Sequence, residues 1–173
     1  MHLSNRRQPA SKLTYSLRAI PDGKAGIAAT LRIMRDMARQ YRKSPRVIEK
    51  ARSLVARLPP KNWGAEVRAI HAYVRDHIRY VMDPRDVETV AAPDATLEIG
   101  QGDCDDQATL VAALLEALGH PTRFVAIGFE PGVLDHVYAE TMIGPRWYTV
   151  ETTESVEVGW VPRGVREKMI VNV

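Results

Sequence analysis

The sequence contains one cysteine, Cys104, and an ionised thiol is the strongest nucleophile among ordinary side chains. A lone cysteine excludes an intrachain disulfide and a multi-cysteine zinc cluster, so this thiol is either a small buried hydrophobe or a reactive group. Its setting is Gly102-Asp103-Cys104-Asp105-Asp106-Gln107-Ala108, where a loop gives way to an apolar helix. Unpaired N–H groups in a helix's first turn favour a thiolate, and they can also donate to an oxyanion formed when sulfur attacks a carbonyl. Asp103 suits the capping position, whereas Asp105 and Asp106 suit the helix dipole but oppose ionisation of a neighbouring thiol. The helix end is therefore not enough, and a nearby imidazole is required.

His136 is the best-placed imidazole, because it opens a strand just after a glycine-containing loop, where a polar ring can reach a cleft. His2 and His120 have weaker claims, and His71 and His77 read as surface or packing histidines on a helix. Strand parity supplies a third residue. If residues 136 to 142 and 147 to 152 form a hairpin around Gly144-Pro145, position 136 pairs with 151 or 153, and in either register Glu151 shares the face of His136. A carboxylate there accepts from the imidazole, fixes its tautomer and stabilises the imidazolium. Tyr138 and Glu140 lie on the same face, and Glu140 is the rival for the third role.

The surrounding pattern predicts the elements that hold these residues. Apolar residues recur at helical spacing from about Ala25 to the basic pair Arg42-Lys43. Ser44-Pro45 starts a second helix that Leu58-Pro59-Pro60 stops, and a third is predicted over Gly64 to Tyr80. Residues 81 to 101, rich in Asp, Pro and Gly, read as a long loop with Thr96-Leu97-Glu98-Ile99 as an anchoring turn. The fourth helix runs from Cys104 to Gly119 and is apolar on more than one side, which predicts burial at the domain centre. Strands are predicted at 123 to 129, 136 to 142 and 147 to 152 as an antiparallel meander, with Trp160-Val161 and Met169 to Val173 as edge strands. The fold class expected is α+β.

Length and charge bound the rest. At 173 residues the chain suits one domain with an added arm. No apolar run approaches the roughly 18 residues of a membrane span, and the polar, basic N-terminus lacks the features of a secretory signal, so a cytoplasmic protein is expected. The net charge of +3 hides a segregation: residues 1 to 52 hold 13 Lys or Arg against 3 Asp or Glu, and the remaining 121 residues hold 11 against 18. This reads as a basic arm with N-terminal helices over residues 1 to 60, with 1 to 23 extended, followed by an acidic domain over 61 to 173. Such an arm suits an acidic partner, but with Tyr15 and Tyr41 as its aromatics it argues against sequence-specific nucleic-acid binding.

The segment Gly102 to Ala108 on a helix, His136-Val-Tyr-Ala-Glu on a strand and Trp147-Tyr-Thr-Val-Glu-Thr-Thr resemble the transglutaminase-like superfamily, especially its small bacterial and phage-encoded members. The resemblance covers roughly residues 65 to 155 and includes Arg79-Tyr80 and Pro93 to Leu97. It implies a papain-like fold, with the Cys-bearing helix packed on an antiparallel sheet that carries His136 and the acid. Acyl transfer through a thioester at Cys104 follows, with no cofactor. The family usually has Asp where this chain has Glu151, a difference of one methylene. The resemblance places Tyr80 near the thiol, and Asp103 and Trp147 are further candidates for the substrate cleft. Asp103, Asp105 and Asp106 lack the spaced ligand loop of a calcium site, and no metal is expected. Hydrolysis of a protein or peptide amide is the leading expectation. Protein crosslinking by a transglutaminase is one alternative. The other is a phage structural role, in which the domain is a docking scaffold and the basic arm ties it to a virion component.

Overall fold

The protein's structure, a computed structural model, describes residues 23–83 and 89–173. Most of the arm expected over residues 1 to 23 lies outside the described residues. The first helix, α1 (Gly23–Tyr41), buries Leu31, Met34 and Ala38 along the predicted stripe. In α2 (Pro45–Val55), Ser44 occupies the capping position with Pro45 first in the helix. The Ser44 hydroxyl does not cap the helix but donates to Asp94 Oδ1 at 2.7 Å, tying α2 to the segment before Cys104. Asn62 caps α3 (Trp63–His77) by accepting from the Ala65 N–H.

Two expectations fail between α3 and the cysteine. The third helix ends at His77, not Tyr80: Ile78 is already extended, and Arg79–Tyr80 form β1, which pairs in parallel with β2 (Gln101–Gly102). That register sets Tyr80 opposite Gly102, two residues from the thiol. The 81 to 101 segment is also not a continuous loop, since Pro93–Ile99 form α4, with Pro93 at its start and Gly100 ending it at φ 71°. Proline pre-set for a first turn and glycine in the left-handed region are the physical stop and start signals, but seven residues are too few for a periodic stripe to register.

The central helix is α5 (Cys104–Ala117), in which every residue from Asp105 to Leu115 is buried. It packs against a sheet of β3 (Thr122–Gly128), β4 (His136–Ile143), β5 (Arg146–Val150) and β6 (Glu167–Asn172). The strand order is β5-β4-β3-β6, antiparallel throughout. The meander is therefore as expected, and β6 returns to the free edge of β3; Trp160-Val161 is an exposed stretch of loop and not a strand. One core joins Val47 and Ala51 of α2 and Val67, Ile70 and Val74 of α3 to Leu110, Leu114, Ala139 and Val150. A second joins Leu31, Met34 and Ala38 of α1 to Ala108, Ala112, Phe124, Ala126 and Val137. The helices before residue 60 thus share both cores with α5 and the sheet. Their basic side chains dock on the acidic body through Lys24–Glu167, Arg42–Glu116 and Arg46–Glu98 ion pairs.

Candidate active site

Cys104 is the first residue of α5 and half-buried, and the backbone N–H groups of Val137 and Asp105 act to lower the pKa of its thiol. These donors favour the thiolate, but burial, and then the charges of Asp105 and Asp103, outweigh them and push the thiol up to about 12. This balance agrees with the expectation that the helix end alone is not enough to ionise the thiol. Cys104 rests as a neutral thiol, and attack requires a base to remove its proton. Asp103 accepts from the Asp106 N–H at 3.5 Å, so it is the helix cap. Asp103→Asn keeps a good cap while removing a charge that opposes ionisation. Alkylation of Cys104 by iodoacetamide at fixed pH is therefore expected to rise several-fold in this variant, and an unchanged or slower rate would contradict the electrostatic account.

His136 is the first residue of β4, opposite Ile127. Its Nε2 lies 2.6 Å from Oε2 of Glu151. The hairpin register ends at Ala139 opposite Val150, so its continuation sets 136 opposite 153 and leaves Glu151 on the face of His136, as parity predicts. Glu151 is 1% exposed, and its Oε1 accepts from the Thr153 N–H at 2.7 Å and from the Thr153 hydroxyl at 2.8 Å. Burial pushes this carboxyl up, yet the His136 hydrogen bond and charge, together with Thr153, outweigh burial and leave it below the usual carboxylate range. The longer Glu side chain thus reaches the imidazole. Because a carboxylate can only accept, Nε2 carries hydrogen, which leaves Nδ1 of the neutral ring as the nitrogen able to accept a proton.

The other predicted residues divide. Tyr80, Phe129, Trp160, His136 and Glu151 line one open cavity of about 320 Å³. Burial first, then interaction with Cys104, Asp103, Asp105 and Glu151, raises the Tyr80 phenol and keeps it protonated. Trp147 lines a neighbouring cavity with Tyr138, Glu140 and Lys168, and the Arg123 guanidinium covers its ring at 4.3 Å. It is not among the residues that line the His136 cavity. Glu140, the rival acid, is taken by Arg123 Nε at 2.6 Å. His120 is buried against Glu66 Oε2 at 2.7 Å, His77 stacks on Tyr73, and His2 lies outside the described residues. Sequence reasoning missed Phe129 and Trp160, both half-exposed in loops where no periodicity marks a facing direction.

The Gly102 position is fixed by Asp106: a Cβ on residue 102 would lie 2.6 Å from Asp106 Cβ. Asp106 Oδ1 accepts from the Ala91 N–H at 2.6 Å and so fastens the strand of chain before α4 to the start of α5. The carboxylate oxygens of Asp103, Asp105 and Asp106 lie within 4.8 Å of one another, but capping and the Ala91 bond account for two of them. Burial is the main cause that raises Asp106 from 3.8 to about 6. With its folded value raised, the native state binds the extra proton, so stability falls as pH rises between those two values. Asp106→Asn, whose amide oxygen still accepts from Ala91, is expected to remove this fall. The gain above the window is at most about 3 kcal/mol, read as the pH dependence of the denaturation midpoint. A variant as pH-dependent as the parent would contradict this.

A cysteine-bearing helix packed on an antiparallel sheet that carries His136 and is followed by Glu151 is a papain-like α+β architecture. The family model of the transglutaminase-like superfamily matches residues 49–152, and the chain belongs to that superfamily. Solved structures with a similar fold include a candidate cysteine protease from Cytophaga hutchinsonii, 21% identical, with a TM-score of 0.54 over 76% of this chain and 47% of that one. Another is a candidate protease from Parabacteroides distasonis, 17% identical, with a TM-score of 0.62 over 83% of this chain and 29% of that one. The chain spans less than half the length of either. No curated protein matches the sequence.

Proposed function

We propose that this protein catalyses acyl transfer at amide bonds through a thioester on Cys104, with water as the usual acceptor. His136 acts as base and Glu151 as its orienter. The observation that carries this reading is the 2.6 Å His136–Glu151 contact, one residue along β4 from Val137, whose backbone N–H acts on the Cys104 thiol.

As the sulfur attacks the amide carbonyl, its proton passes to His136 Nδ1 and the new imidazolium is stabilised by Glu151. The first-turn N–H groups of α5 stabilise the oxyanion. Collapse breaks the C–N bond, His136 returns the proton to the leaving amine, and an acyl-enzyme remains. Water then attacks the thioester with His136 again as base, releasing the acid and restoring the thiol. A resting neutral thiol suits this order, because the proton leaves during attack and not before it.

The cavity lined by His136 and Glu151 opens to solvent past the half-exposed rings of Tyr80, Phe129 and Trp160, so water can reach the base that would activate it, which favours hydrolysis over transfer to an amine. The same rings suit a peptide with an apolar side chain beside the scissile bond. The raised thiol is the observation that favours the rival reading, a virion docking scaffold with an inert cysteine. Mass spectrometry of a synthetic peptide library after incubation with the protein or Cys104→Ser separates the readings. Cys104-dependent products that have gained water support hydrolysis. Amine adducts would move the assignment to crosslinking, and an unaltered library to the scaffold.

A further inference from the structure

His71, on α3, is 1% exposed, and its Nε2 lies 2.6 Å from the backbone carbonyl oxygen of Glu151. A carbonyl oxygen accepts and never donates, so Nε2 carries the hydrogen and the neutral ring leaves Nδ1 bare. Burial, the largest influence on this ring, keeps it in the neutral form, against the opposing Glu151 carbonyl.

The place of this bond in the fold gives it a use. Glu151 follows the last ladder pair of β5, Val150 with Ala139, so its own backbone lies beyond the sheet register. Its carboxylate is held by Thr153 and His136, and its carbonyl by His71. The α3 helix that bears His71 shares a core with α5: Val67, Ile70 and Val74 pack with Leu110 and Leu114. The helix that presents Cys104 and the acid that orients His136 are thereby joined through one rigid packing unit.

We propose that His71 is a positioning residue, which pins the Glu151 backbone to α3 so that the carboxylate meets His136 in register with Cys104. This rests on the acyl-transfer reading above. An apolar side chain of similar volume fills the space but leaves the Glu151 carbonyl unpaired and its backbone untethered. Glutamine, whose amide nitrogen reaches about as far as Nε2, restores the donor.

The test is the burst of p-nitrophenol when the folded protein is acylated by p-nitrophenyl acetate, with unfolding midpoints measured in parallel. His71→Leu is expected to acylate roughly tenfold more slowly, the scale of outer-shell losses, and His71→Gln to stay within about threefold of the parent. Nitrogen-15 NMR of the parent is expected to show the Nε2–H tautomer at His71. A His71→Leu variant at the parental rate, while His136→Ala is slow, overturns the positioning role and leaves the acyl-transfer reading standing. Equal losses in the Leu and Gln variants would reduce His71 to packing. An Nδ1–H tautomer overturns the proposal without any variant, and it decides the matter if His71→Leu fails to fold. A His136→Ala variant that acylates at the parental rate removes the acyl-transfer reading itself.

Discussion

Glu151→Gln is expected to lower the rate of Cys104 acylation by up to about 10⁴-fold, the loss seen when the acid of a Ser-His-Asp triad becomes an amide. The reason is a constraint on which way the amide can point. Thr153 offers both its N–H and its hydroxyl to Oε1 at 2.7 and 2.8 Å, so the amide oxygen is retained there and the NH₂ group turns toward His136. Two donors then face each other unless the imidazole changes tautomer. The ring responds by placing its hydrogen on Nδ1, the atom that must receive the Cys104 proton. Glu151→Gln therefore presents a base with its accepting nitrogen facing the wrong way. Stability changes with it: the folded Glu151 carboxyl is held below its ordinary value of 4.5. A depressed carboxyl contributes stability that is present above the unfolded value and lost as pH falls through the folded one. The variant should lose less stability than the parent on acidification, as read from the denaturation midpoint against pH. Near-parental acylation by Glu151→Gln would show that this carboxylate does not orient the base.

Gly128→Ala should have the largest effect on folding. A Cβ at residue 128 would sit 1.7 Å from the Val133 carbonyl oxygen and 2.6 Å from its carbon. Both are backbone atoms, so no side-chain rotation relieves the clash, and the loop between β3 and β4 must move. Asp135 donates from its N–H to the Ile127 carbonyl at 3.0 Å, and Ile127 pairs with His136, so the displaced loop is the one that sets the base. A loss of about 3 kcal/mol or more is expected, in the range reserved for backbone and overpacking damage. Gly132, in the same loop at φ 81° with open space around it, should cost only about 1 kcal/mol as alanine, through left-handed strain alone. Equal midpoints for the two variants would contradict the close-approach account.

Much of the site was legible because its chemistry depends on local pattern and parity. Cys104 follows a capping aspartate at the head of a helix that is apolar on more than one side, and a period of two along the β4–β5 hairpin puts His136 and Glu151 on one face whether 136 pairs with 151 or with 153. What was illegible depended on distant partners. His71 reads as an off-stripe packing histidine because its partner is a backbone carbonyl 80 residues away, and backbone acceptors leave no mark in side-chain patterns. Trp147 and Trp160 look equivalent in sequence. Arg123 claims the first, while the loop after β5 brings the second to the His136 cavity. The short helix α4 carried its start and stop residues openly, but its surroundings of Asp, Pro and Gly resemble loop composition. The thiol's neutral state followed from burial, which a helix-end argument does not weigh.

The most direct measurement is the rate of Cys104 alkylation by iodoacetamide across pH, in the parent and in His136→Ala, followed by intact mass. A Cys–His pair predicts a single modification at neutral pH that is roughly tenfold or more slower without the imidazole. The gap should close as pH rises toward the thiol's own ionisation at about 12. A parent that stays unmodified, or two proteins that react at one rate throughout, would contradict a catalytic role for Cys104 and His136.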